Sequence, residues 1–152
     1  MKFNIIGIDI SIADTIVLQM ADVYKDTGKE LGGILLGRFS DCSKIIEITE
    51  IIEIETKNHS PVSYCRNVKT AQTIIDRKWN ESNGEINYLG EWHTHPGMKA
   101  IPSTTDINSM VKMGKHVEKY IPFVVLMIFG KNNEVNIIVR KGSKNHACIF
   151  NR

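Results

Sequence analysis

The densest set of residues able to do chemistry is "GEWHTHPGMKAIPSTTD", Gly90 to Asp106: two histidines, two carboxylates and a serine, with two prolines and two glycines. His93 and His95 are two apart. On a strand that spacing sends both imidazoles off one face, where they can converge on a single ion. Asp106, on the first turn of a following helix, can add a carboxylate as third ligand. Three protein ligands leave a fourth position for water, the arrangement of a catalytic rather than a structural zinc site. A water of lowered pKa is then the nucleophile.

Each residue also has a plainer use. An H-x-H pair arises by chance in many chains, and both Ser103 and Asp106 are natural helix-capping residues. The weight lies in the whole spacing: His93, His95, Ser103 and Asp106 read H-x-H-x7-S-x-x-D, with Pro96 directly after the pair.

These residues need a scaffold, and hydrophobic periodicity outlines one. "SIADTIVLQMADVYKDTGKE" carries an apolar stripe at Ile12, Ala13, Ile16, Val17, Met20, Val23 and Tyr24. It predicts a helix over about 11–26, capped by Ser11 and ended at Gly28. "LGGILLGRF" and "KIIEITEIIEIET" read as strands joined by a hairpin at "DCSK". Pro61 in "KNHSPVSY" marks an exposed loop. "NVKTAQTIIDRKWNES" is a second helix, "INYLGEWHTH" a strand, and "STTDINSMVKMGKH" a third helix starting at a Ser103 cap with Asp106 at the positive end of its dipole. "PFVVLMIFG" and "EVNIIVR", separated by "KNN", are two more strands, and "HACIF" a possible last one. The irregular alternation with hairpins implies an α+β class, α/β in looser naming: a mixed, mostly antiparallel sheet flanked by helices.

Composition narrows the rest. A chain of 152 residues, 42% hydrophobic, fits one domain over 1–152. With 19 basic and 17 acidic residues the net charge of +2 gives no field suggesting nucleic acid or membrane as partner. Cys42, Cys65 and Cys148 are odd in number and far apart, without C-x-x-C, so a reducing cytoplasmic location is expected. Asp9 and Asp14 interrupt any signal-peptide core, and "IPFVVLMIF" is about half of the roughly 20 residues a membrane helix needs.

Taken together, "KELGGILLG", "EWHTHP" and "PSTTD" resemble the JAMM metalloprotease motif of the MPN (JAB) superfamily, without a gap in its spacing. The resemblance extends in element order over most of the chain. It implies a cytidine-deaminase-like MPN fold and one Zn2+ per chain. It also implies His93, His95 and Asp106 as metal ligands, Glu30 as the carboxylate that activates the water, and Ser103 as oxyanion donor. Elementary chemistry is consistent with those roles. A glutamate beside the metal can accept the proton and pass it to the leaving amine, and a hydroxyl aimed at the growing oxyanion contributes roughly 3 kcal/mol.

Glu91 is the rival base, because period-2 alternation puts it on the face of His93 and His95. Two residues along a strand is about 6–7 Å, which leaves Glu91 one step past the ion, at the rim or orienting a histidine. Glu30 is preferred. His59, His116 and His146 lack partner spacing and read as surface or packing residues, Cys65 as an ordinary thiol, and Trp92, on the opposite face, as core.

The family resemblance implies hydrolysis of a peptide or isopeptide bond at the C-terminus of a ubiquitin-like or C-terminally conjugated protein. "GEWHTHP" and only 46 residues beyond Asp106 are similar to stand-alone bacterial members, some of them deconjugases of antiphage (CBASS-type) operons. Two other readings use the same features: trimming the C-terminus of a sulfur-carrier protein, and a non-catalytic MPN scaffold. An extended substrate tail would run between "SPVSYC" and the segment from Pro96 to Ser103.

Overall fold

Isoleucine-rich runs and one continuous apolar run build the centre of the molecule. The computed structural model describes residues 1–23, 28–40, 44–55 and 67–151. In chain order the elements are β1 (Lys2–Ile5), β2 (Ile8–Ile12), α1 (Asp14–Val23), β3 (Gly32–Phe39), β4 (Ile45–Glu53), α2 (Val68–Glu81) and β5 (Asn87–Thr94). They continue with α3 (Thr104–Val117), β6 (Phe123–Phe129), a 3-10 turn (Lys131–Asn133), β7 (Glu134–Lys141) and β8 (Lys144–Asn151). Among the described residues the strands form one eight-stranded sheet in the order β1-β2-β4-β3-β5-β6-β7-β8. Only β2–β4 and β5–β6 pair in parallel, so the sheet is mixed and mostly antiparallel, as expected. β6 is buried along its whole length, as befits an unbroken apolar run between two neighbours.

The sheet is covered on both faces. Ile16 and Val17 of α1 pack with Ile8, Ile10, Ile48, Trp92 and Phe129 on one face. On the other, α2 sets Ala71, Ile74 and Ile75 against Ile34 and Leu36, while α3 sets Met110, Ile107 and Met113 against Leu126, Ile128 and Ile138. Each fully buried Ile, Leu or Phe contributes about 1.5–3 kcal/mol, against about 1 kcal/mol for a helix cap. The sheet core therefore dominates stability. Trp92 is part of it: 1% exposed, edge-to-face with Phe129, its indole N–H donating to the Ile52 carbonyl at 3.2 Å.

Two close backbone approaches shape the centre. A Cβ on Gly33 would collide with the Ile52 carbonyl, so the glycine lets β3 and β4 meet. At Gly90, φ +152°, a Cβ would collide with the Val125 carbonyl of β6. There the β3–β5 register slips, from Leu35↔Gly90 to Leu36↔Tyr88. This bulge reverses the alternation of β5, so Leu89 shares a core with Trp92, three residues on.

The N-terminus corrects the expected helix over 11–26. Ser11 is not a cap: it lies in β2, and α1 starts at Asp14, whose carboxylate sits in the first turn. β1 and β2 form a hairpin through Ile6 and Gly7, both at positive φ (49° and 76°), with the Gly7 N–H donating to Asn4 Oδ1. The helical stripe at 12, 13, 16 and 17 was real for only its second half; Ile8, Ile10 and Ile12 alternate into the core as a strand. The predicted helix end at residues 24–26, Cys42, and the "SPVSYC" loop with His59 and Cys65 lie outside the described residues. β3 and β4 pair antiparallel as the predicted hairpin, and "HACIF" is the centre of β8. No helix among the described residues is long and apolar enough to cross a membrane.

Candidate active site

The site stands where β5 ends and α3 begins. His93 and His95, both on the same side of β5, are 8% and 6% exposed. Burial of this kind demands polar partners. The two Nε2 atoms face each other at 3.1 Å, His93 Nε2 lies 3.3 Å from Asp106 Oδ1, and His95 Nε2 lies 3.5 Å from Asp106 Oδ2. Zinc–nitrogen and zinc–oxygen bonds of about 2.0–2.1 Å at tetrahedral angles put neighbouring ligand atoms about 3.3 Å apart. The His93–His95 separation and the shortest distance from each imidazole to an Asp106 oxygen, Oδ1 for His93 and Oδ2 for His95, lie close to that edge, and single ligand atoms of the three residues all fall within 4.8 Å of one another. Two neutral imidazoles and a carboxylate are also the donor chemistry zinc takes, so the residues fit the ion that the family resemblance implies.

Asp106 serves two structures at once. Its Oδ2 accepts the backbone N–H of Ser103 at 2.6 Å, and Ser103 Oγ accepts the backbone N–H of Asp106 at 3.1 Å, a complete capping box. Burial pushes the Asp106 carboxyl upward, but hydrogen bonds from His93 and His95 outweigh it and hold the group well below the usual carboxylate range. For His95, burial lowers the value; the Asp106 carboxylate, the Lys99 carbonyl and the charge of Glu30 together raise it above the ordinary histidine value. Ser103 Oγ accepts the Asp106 amide, and its hydroxyl also hydrogen-bonds the Asp106 carboxylate, which helps hold that carboxyl low.

Glu30 arrives from the far side of β5. Leu31 is stitched to Thr94 twice, its N–H donating to Thr94 Oγ1 at 2.9 Å and its carbonyl accepting the Thr94 N–H at 2.8 Å. With Gly32 paired to His93, this lock sets Glu30 beside His95. Glu30 is 7% exposed and lines one cleft of about 530 Å3 with His93, His95, Ser103 and Asp106. All five residues singled out in the sequence are thus neighbours, although 63 residues separate Glu30 from His93.

Glu91 also lines the cleft, half-buried, and accepts the Tyr88 hydroxyl at 3.4 Å. Tyr88 itself was not foreseen. Simple alternation sends it to the opposite face, and the Gly90 bulge brings it round beside Glu91 and Met113 Sδ, 3.3 Å away. Met98, Lys99 and Ile101, from the segment between Pro96 and Ser103, line the same cleft. His116 and His146 stand apart from the cleft, and His93, His95 and Asp106 are the metal-competent cluster found among the described residues.

With this geometry in place, comparison defines the class. The chain belongs to the family of prokaryotic homologs of the JAB domain, whose pattern it matches over residues 13–141, a span containing all five site residues. It is similar to a "CD-NTase/cGAS isopeptidase" of Enterobacter hormaechei, 27% identical over 119 residues, covering 78% of this chain and 64% of the relative. A "Probable metalloprotease" of Sinorhizobium fredii is 30% identical over 105 residues, 65% of this chain and 61% of the relative. The chain thus spans less than two thirds of either relative's length. In fold it resembles the solution structure of a Desulfitobacterium hafniense protein, with a TM-score of 0.59 at 16% identity, covering 93% of this chain and 90% of that one.

Proposed function

We propose that this protein is a zinc-dependent isopeptidase or peptidase that hydrolyses the bond after the C-terminal tail of a ubiquitin-like or otherwise conjugated protein. The observation that carries the reading is the His93, His95 and Asp106 cluster, with nearest contacts of 3.1–3.5 Å, in a cleft it shares with buried Glu30. The relatives' name, CD-NTase/cGAS isopeptidase, favours a CD-NTase- or cGAS-type protein as the conjugated partner; a setting in antiphage defence and in the cytoplasm is proposed on the motif resemblance and the cysteine usage alone. A non-catalytic scaffold has no need of a complete ligand set with a carboxylate beside it.

His93, His95 and Asp106 would hold a zinc ion, which would supply Lewis acidity and a water of lowered pKa. The Glu30 carboxylate accepts that water's proton and returns it to the leaving amine nitrogen. Ser103 Oγ–H donates to the carbonyl oxygen as negative charge grows there. Tyr88 holds Glu91 at the rim, and the 96–102 segment forms the wall on the other side.

The test is purified chain with measured zinc content, incubated with a CD-NTase-type protein linked through its C-terminus to a lysine or to a linear extension, with and without chelator. Chelator-sensitive cleavage is expected. Intact conjugates in the presence of zinc-loaded protein would sink the proposal, and cleavage of the linear extension alone would favour C-terminal trimming.

A further inference from the structure

The segment from His95 to Ser103 is gripped at its middle by a strand remote in sequence. Ala100 is fully buried. Its N–H donates to Glu134 Oε2 at 2.7 Å, and its carbonyl accepts from Asn136 Nδ2 at 2.9 Å. Glu134 and Asn136 are two apart on β7, so both reach the loop from one face. Further along, the Lys131 N–H donates to the Met98 carbonyl at 2.6 Å, and Gly130 abuts Ala100 so closely that a Cβ would clash.

The Ala100 N–H and the Lys99 carbonyl are opposite ends of one planar peptide. That carbonyl faces His95 Nδ1 at 3.3 Å. A carbonyl only accepts, so this contact needs the hydrogen on Nδ1; in the protonated ring Nε2–H also donates to Asp106, and in the neutral ring Nε2 keeps a lone pair for a cation. The contacts form an unbroken line: Glu134 carboxylate, peptide plane, imidazole, ligand position.

We propose that Glu134 is a positioning residue for His95, acting through the Lys99–Ala100 peptide. The carboxylate fixes the tilt of the plane and polarises it, which makes the Lys99 oxygen a stronger acceptor for Nδ1–H and Nε2 a better donor to a cation. The proposal rests on the metal-ligand reading of His95, but its first test does not need the metal.

The full chain, metal-free and with 15N-labelled histidine, is studied by long-range proton–nitrogen spectra above the pH at which His95 titrates. The wild type is expected to show His95 protonated at Nδ1. Glu134→Ala should populate the Nε2–H tautomer and weaken zinc binding about 10- to 100-fold in a chelator competition. Glu134→Asp, one methylene short, should behave like alanine despite keeping its charge. Glu134→Gln keeps the reach and an acceptor, and should restore the tautomer and all but a few-fold of the affinity. A merely structural residue would lower thermal stability and leave tautomer and affinity alone, which overturns the proposal. If Glu134→Ala does not fold, Glu134→Asp decides, and a wild-type tautomer with wild-type affinity there overturns it equally. A wild type that takes up no zinc defeats the metal reading, while the tautomer spectra still judge the relay.

Discussion

α2 and α3 are both 14 residues long and both begin on a polar cap, yet only one helix start belongs to the site. At α2, Asn67 Oδ1 accepts the Thr70 N–H at 3.1 Å, and this cap, like that of α3, is exposed. At α3, Ser103 accepts the Asp106 N–H at the same 3.1 Å, and Asp106 answers with its carboxylate. The local physics is shared: each cap satisfies an amide the helix leaves unpaired, for about 1 kcal/mol. What differs is the surroundings. α3 starts over the end of β5, so its capping carboxylate meets two histidines, whereas α2 starts away from the cleft.

Breaking the α3 cap should therefore cost chemistry, and breaking the α2 cap only stability. The largest effect is expected for Asp106→Asn. Asparagine can still accept from Ser103, so helix content by circular dichroism should hold. Zinc content and turnover should fall by well over the roughly 100-fold that outer-shell changes cost. Retained zinc with full turnover would remove Asp106 from the ligand set.

Next comes the base. Glu30→Gln should keep zinc and lose roughly 10²- to 10⁴-fold in kcat, while Glu91→Gln loses less than about tenfold; the reverse ranking, measured on one substrate, would hand the role to Glu91. Ser103 tests the double use directly. Ser103→Ala should cost about 1 kcal/mol of stability and roughly 10²- to 10³-fold in kcat. Ser103→Asp should recover the stability without the rate, since aspartate caps but cannot donate.

Acid should act through the same carboxylate. Because the folded value of His95 is raised, the metal-free His95–Asp106 pair stabilises the fold fully below pH about 6.5 and loses that contribution as pH rises through the raised value. Zinc must displace that proton, so its affinity should fall about tenfold per pH unit per proton as pH drops through the same point. Chelator competition across that range, with metal-free thermal melts, checks both signs. The smallest effect is expected at the other helix: Asn67→Ala should cost about 1 kcal/mol in denaturant unfolding and leave kcat unchanged.

The legible parts of the molecule were those with a short repeat. The apolar runs of β3, β4 and β6, the helical stripes of α2 and α3, and the H-x-H-x7-S-x-x-D spacing all encode themselves within a few residues. The N-terminal hairpin was written in Ile8, Ile10 and Ile12, but Ile12 and Ala13 also begin a helical stripe. Pairing of Ile10 with Ile46 of β4, a distant partner, settles that contest. Tyr88 could not be placed, because alternation assumes an unbroken strand and the bulge at Gly90 depends on how closely β6 approaches.

By itself the sequence determined which residues could bind a metal and that His93 and His95 share a face, since a two-residue period is a property of any strand. It determined the Ser103–Asp106 cap for the same reason, a cap being local. Tertiary structure alone decided that Glu30 shares the cleft of His95, through the Leu31–Thr94 lock at the start of β3 and the end of β5. It also decided that Glu134 grips the Lys99–Ala100 peptide from β7. Both contacts join residues tens of positions apart, and chain distance says nothing about them until the sheet order is formed.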